Sequence, residues 1–78
     1  MDSARKALDS GDLPQAIDKY GVLIRRRLEV QAVIQDLRAA VGRSPGAAPL
    51  WQALGDAYMK GNQVAEAVEA YRQGMEAA

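Results

Sequence analysis

The chain has 78 residues, enough for one domain near the lower limit of what a single apolar core holds together. It contains no cysteine and no histidine, which excludes disulfides, thiolate metal sites and histidine-based hydrolase chemistry. Ten basic and ten acidic residues leave no net charge, so nothing global recommends nucleic acid as a partner.

The charges are unevenly placed. Residues 1–18 carry two bases and four acids, residues 19–43 six bases and two acids, and residues 44–78 two bases and four acids. No apolar run approaches the ~20 residues that span a bilayer, and the N-terminus has no apolar stretch resembling a signal peptide. A soluble, cytoplasmic chain without membrane association is expected. Met1 leads straight into helix-like sequence, as in a fragment of something longer.

Alanine, leucine, glutamine, arginine and glutamate dominate, and β-branched residues never alternate with polar ones over a strand's length. The fold class expected is therefore all-α. The first helix runs over residues 2–10 and ends at Ser10-Gly11-Asp12-Leu13-Pro14. There Gly11 suits a left-handed helix end, Asp12 a cap for the next helix, and Pro14 its first turn. The apolar pattern over 13–41 is too long for one helix of a compact bundle, so it divides. Arg25, Arg26 and Arg27 mark a helix C-terminus and Glu29 the next N-terminus, giving helices at 14–27 and 30–42. A competing outcome keeps residues 14–41 as one rod of about 42 Å. Two chains would then exchange halves as a domain-swapped homodimer. Pro45, Gly46 and Pro49 punctuate the next break, a helix follows at 49–60, and Gly61-Asn62 turns the chain into a fifth helix at 64–77.

The last 30 residues carry the most specific pattern. Trp51, Leu54, Gly55 and Tyr58 form W-x2-L-G-x2-Y, and Ala67 and Tyr71 follow as A-x3-F/Y. Trp51, Leu54 and Tyr58 fall on one helical stripe, while Gly55 and Ala67 are small where two antiparallel helices come close. This closely resembles the tetratricopeptide repeat, whose period is 34 residues. Stepping back by that period places Ile17, Tyr20, Gly21 and Ile24, then Val33, Leu37 and Ala40, at the matching positions, with Pro45 near the end of that degenerate copy. Gly74 stands where the family more often has alanine, which implies a loosened last turn. The domain organisation expected is one unit over 1–78: an N-terminal half-repeat (1–13), a degenerate repeat (14–47) and a well-matched repeat (48–78). Residues 14–27 look like a second helix to the segment before them and a first helix to the segment after them.

The resemblance implies antiparallel helix-turn-helix units, a fragment of a right-handed α-solenoid. It also implies a scaffold or adaptor that holds a protein or peptide on its concave face. Transferred onto this sequence, that face comprises Gln52, Asp56, Met59 and Lys60 from the last repeat. The degenerate repeat adds Gln15, Asp18, Lys19, Val22, Arg25 and Arg26. The carboxylate clamp of chaperone-binding members needs lysine and asparagine, and Asp56 departs from that set. A mixed or extended peptide is the partner expected, with no cofactor, no metal, no catalytic residue, no nucleic acid and no membrane. Trp51 and Tyr58 read as repeat core, with stacking platforms for a ligand as the alternative. The Arg25–Arg27 run reads as a solvated helix end, or else as a contact for an acidic partner, an anionic lipid or nucleic acid. Two other functions compete: a self-associating or capping structural domain, since such stacks usually need three or more repeats, and a regulatory appendage of a larger protein.

Overall fold

Gly11, Arg27 and Asn62 take left-handed backbone conformations (φ 83°, 54° and 61°), and each reverses the chain. In the computed structural model, which describes residues 2–77, these reversals and the loop at 44–47 separate five helices: α1 (Asp2–Asp9), α2 (Leu13–Arg25), α3 (Val30–Arg43), α4 (Ala48–Lys60) and α5 (Val64–Ala77). No strand occurs among the described residues. The fold is all-α, with the five helices expected and ends shifted by one or two residues.

The same cap closes α1, α2 and α4. The N–H after the left-handed residue donates to the carbonyl five residues back: Asp12 to Ala7, Leu28 to Leu23 and Gln63 to Tyr58, at 2.9, 2.9 and 2.8 Å. The left-handed residue's own N–H donates three residues back. This Schellman arrangement satisfies carbonyls that would otherwise be orphaned at a helix end. Glycine and asparagine accept the conformation readily, but arginine does not. Arg27 therefore holds the α2–α3 reversal against its own preference, and residues 14–41 are two helices, not a rod. Glu29, expected to mark the N-terminus of α3, is its N-cap at φ 51°, without a side-chain capping bond. Asp12 does cap α2, accepting from the N–H of Gln15 at 3.3 Å, and Pro14 lies in the first turn. Replacing Arg27 by glycine is expected to raise stability by about 1 kcal/mol, because the left-handed penalty disappears. Urea denaturation of the two chains would measure this, and a loss of stability would mean that the Arg27 side chain has a structural partner.

α2 packs against α1, α3 and α4, α3 packs on α4, and α4 and α5 share the most extensive contact. The core is built from small and branched residues, among them Ala16, Ile24, Val33, Ile34, Leu37, Leu50, Leu54, Ala57, Ala67 and Ala70. Tyr20 is the largest side chain fully withdrawn from solvent. Its hydroxyl donates to Asp36 of α3 at 2.9 Å, and the same Asp36 oxygen accepts from Arg5 of α1 at 2.8 Å. One carboxylate thus ties three helices and satisfies a phenol that could not otherwise be buried.

Burial, and then the bond to Asp36, push the Tyr20 phenol well above its ordinary value of 10.0. Burial and the bond to Asp56 push Tyr71 up to about 12. Both groups ionise more readily in the unfolded chain than in the folded one. Their contribution to stability is therefore complete below pH 10 and is lost as pH rises beyond it. Melting temperatures measured across alkaline pH should fall above pH 10. A Tyr20→Phe, Tyr71→Phe chain should lose much of that slope, and an unchanged slope would place its origin in other groups.

Candidate functional site

Two glycines stand at close approaches between α4 and α5. A Cβ added to Gly55 would stand 2.6 Å from Cε1 of Tyr71, so the tyrosine ring lies directly on that glycine. The ring is held there by its hydroxyl, which donates to Asp56. Gly74 is buried, and a Cβ there would stand 3.2 Å from Cβ of Trp51. Gly74, which the family resemblance marks as a weakened position, is thus where α5 comes close to α4. Ala67 is fully buried, as a small residue at this contact should be.

Gly21 behaves differently. No other helix approaches it, and a Cβ there would meet only Nη1 of Arg25, at 3.4 Å. Its expected role as a contact glycine is corrected by this geometry: it leaves open space beside α2. That space belongs to a groove of about 420 Å³ between α2 and α4. The α2 wall is formed by Ile17, Asp18, Gly21, Ile24 and Arg25, and the α4 wall by Pro49, Gln52, Ala53, Asp56, Met59 and Lys60. Ile24 and Ala53 are buried and form the floor, with Ile17 half-buried beside them. Both walls repeat at three- and four-residue intervals, which keeps the lining of each helix on one face.

Of the ten residues expected to contact a partner, Asp18, Arg25, Gln52, Asp56, Met59 and Lys60 are brought together in this groove. Met59 is 46% exposed there. Lys19 instead turns to the α1 side of α2, beside Gln15 and Ser3, and Val22 and Arg26 are exposed on α2 outside the groove. Ile17, Gly21 and Ile24 line the groove although their spacing assigns them to repeat packing. The three arginines have separate fates: Arg25 lines the groove, Arg26 is the C-cap of α2, and Arg27 carries the left-handed turn.

Trp51 is half-buried, not fully enclosed. Its indole N–H donates to the carbonyl of Pro45 at 2.8 Å and pins the loop between α3 and α4. With Leu54, Tyr58, Val41 and Ala70 it lines a smaller cleft of about 250 Å³, away from the α2–α4 groove. Tyr58 is buried, and Leu54 almost completely so. Among the described residues, no group of three acidic side chains is placed to hold a metal ion, and no helix is long and apolar enough to cross a membrane.

No protein-family model matches this chain, and no curated protein or solved structure matches it.

Proposed function

We propose that this chain is a protein-interaction module of the tetratricopeptide-repeat type, which docks a peptide or protein segment in the groove between α2 and α4. The observation that carries the reading is the convergence of Arg25, Gln52, Asp56, Met59 and Lys60 on one groove. It is supported by the W-x2-L-G-x2-Y pattern at Trp51–Tyr58 with Ala67 and Tyr71. On this reading α2 and α4 are the first helices of successive repeats, α3 and α5 the second helices, and α1 a half-repeat. Such an arrangement lines a concave surface with first helices, and the fragment would belong to a right-handed solenoid serving a scaffold or adaptor. Recognition would combine an apolar floor with polar rims, the usual composition of a peptide-binding surface.

A photoreactive amino acid placed at Gln52, on the groove, and separately at Glu69, beside the Trp51 cleft and away from the groove, tests this. The Gln52 position is expected to form adducts with a bound partner in cells and the Glu69 position is not. Adducts at Glu69 alone, or equally at both, would remove the groove from consideration.

A second reading, self-association, is favoured by one feature of α5. Val64, Val68 and Met75 are exposed at 55%, 60% and 79% and form a stripe spaced by four and seven residues. That spacing suits a helix seam against another helix. Sedimentation at high concentration tests it: a homodimer dispersed by Val68→Glu supports self-association through α5, and a monomer rejects it.

A further inference from the structure

The α2–α4 groove carries charges of both signs, and in the same order on its two walls. Asp18 precedes Arg25 on α2, and Asp56 precedes Lys60 on α4. Each helix packs on α3 through a four-residue connection, which makes each antiparallel to α3 and the two parallel to one another. The acids therefore lie along the middle of the groove. Arg25 and Lys60 both stem from the last turns of their helices, at the end of the groove where the helices stop.

Among the described residues, neither Arg25 nor Lys60 has an ion-pair partner. A cation near a helix C-terminus ordinarily serves the free carbonyls there. Arg25 is not placed for that service. Its guanidinium reaches back along α2 and lies over Gly21, with Nη1 3.4 Å from where a Cβ would stand. The missing side chain at position 21 is what lets the guanidinium rest in the groove beside Ile17 and Ile24. Planar and rich in donors, it is suited to a carboxylate, and Lys60 adds a second positive charge at the same end.

Resting on the docking reading above, we infer that the groove selects a segment in which an acidic side chain pairs with Arg25 and Lys60 while a neighbouring apolar side chain covers Ile24 and Ala53. Asp18 and Asp56 repel further negative charge toward the middle. The segment therefore carries a single acidic anchor at one end, not an acidic run, and its direction in the groove is fixed.

The test pans a library of random linear peptides against the full chain. The peptides are fused at their C-termini so that no terminal carboxylate is offered. Enriched sequences are expected to place one aspartate or glutamate next to an apolar residue. Synthetic, amidated versions should bind Arg25→Glu or Lys60→Glu chains about tenfold or more weakly, the loss of one charge-assisted contact. A peptide with lysine in place of its acidic residue should recover affinity for those variants. Both sites are exposed, and helical spectra would confirm that the variants fold. Peptides that perturb groove resonances but are neutral or basic, or are indifferent to both reversals, would overturn this inference while leaving the docking site in place. Peptides that bind without perturbing the groove, or no enrichment at all, would overturn the docking reading itself.

Discussion

Replacing Tyr20 by alanine is expected to cost about 3–5 kcal/mol and to unfold the chain. A domain of this size has a total stability of roughly 4–12 kcal/mol, so one such loss removes much of it. Tyr20 is the largest fully buried side chain, and it stands where α1, α2 and α3 meet Asp36. The alanine chain loses the ring's packing and leaves a cavity in a core otherwise built largely of alanines and aliphatic residues. Tyr20→Phe separates the two contributions. It keeps the ring and should cost about 1 kcal/mol for the lost hydrogen bond, with Asp36 still satisfied by Arg5. Thermal denaturation followed by helical circular dichroism would measure both. An alanine chain as stable as its parent would mean that α1 does not close over Tyr20.

Gly55→Leu is the second substitution with a large expected effect, about 3 kcal/mol of destabilisation from overpacking. Gly55→Ala is also expected to destabilise, by roughly 1–2 kcal/mol, although alanine is the better helix former. The reason is that even one methyl group would stand 2.6 Å from the Tyr71 ring, which is rigid and tethered to Asp56. The matching change on α2 should have the opposite sign. Gly21→Ala meets nothing closer than 3.4 Å and should gain up to about 1 kcal/mol of helix propensity. Removing the ring as well, in Gly55→Ala with Tyr71→Ala, should relieve the clash and appear as non-additivity of about 1 kcal/mol or more. Equal effects of alanine at 21 and 55 would mean that the α4–α5 contact is no tighter than the surroundings of Gly21.

Glycine 21 also shows where sequence reasoning stops. A period of 34 residues places it opposite Gly55, but sequence does not say whether a ring or open space lies above a glycine. Tyr71 lies over Gly55, whereas the position matching Tyr71 is Leu37, which does not come within 4 Å of a Cβ at Gly21. Elsewhere the signals were strong. Gly11, Asp12, Pro14 and Asn62 each perform the turn or capping role their chemistry suggests. The α2–α3 reversal was harder to see because Arg27, a good helix former, occupies a left-handed position that usually takes glycine. Six of the ten residues expected at the partner surface share the groove, since helical periodicity sorts residues by face. Gln15, Lys19, Val22 and Arg26 fall outside it because the groove spans less than half the circumference of α2, a width that only the packing of α4 defines. Trp51 was expected to be enclosed. Its hydrogen bond to Pro45 draws the indole toward the loop and leaves it half-exposed.

The docking role of the α2–α4 groove is tested most directly by chemical-shift mapping of the full chain, titrated with a groove-selected, amidated peptide. Shifts are expected to concentrate at Gly21, Arg25, Ala53, Asp56, Met59 and Lys60. Shifts confined to Glu66, Glu69 and Gln73 of α5, away from the groove, would contradict it.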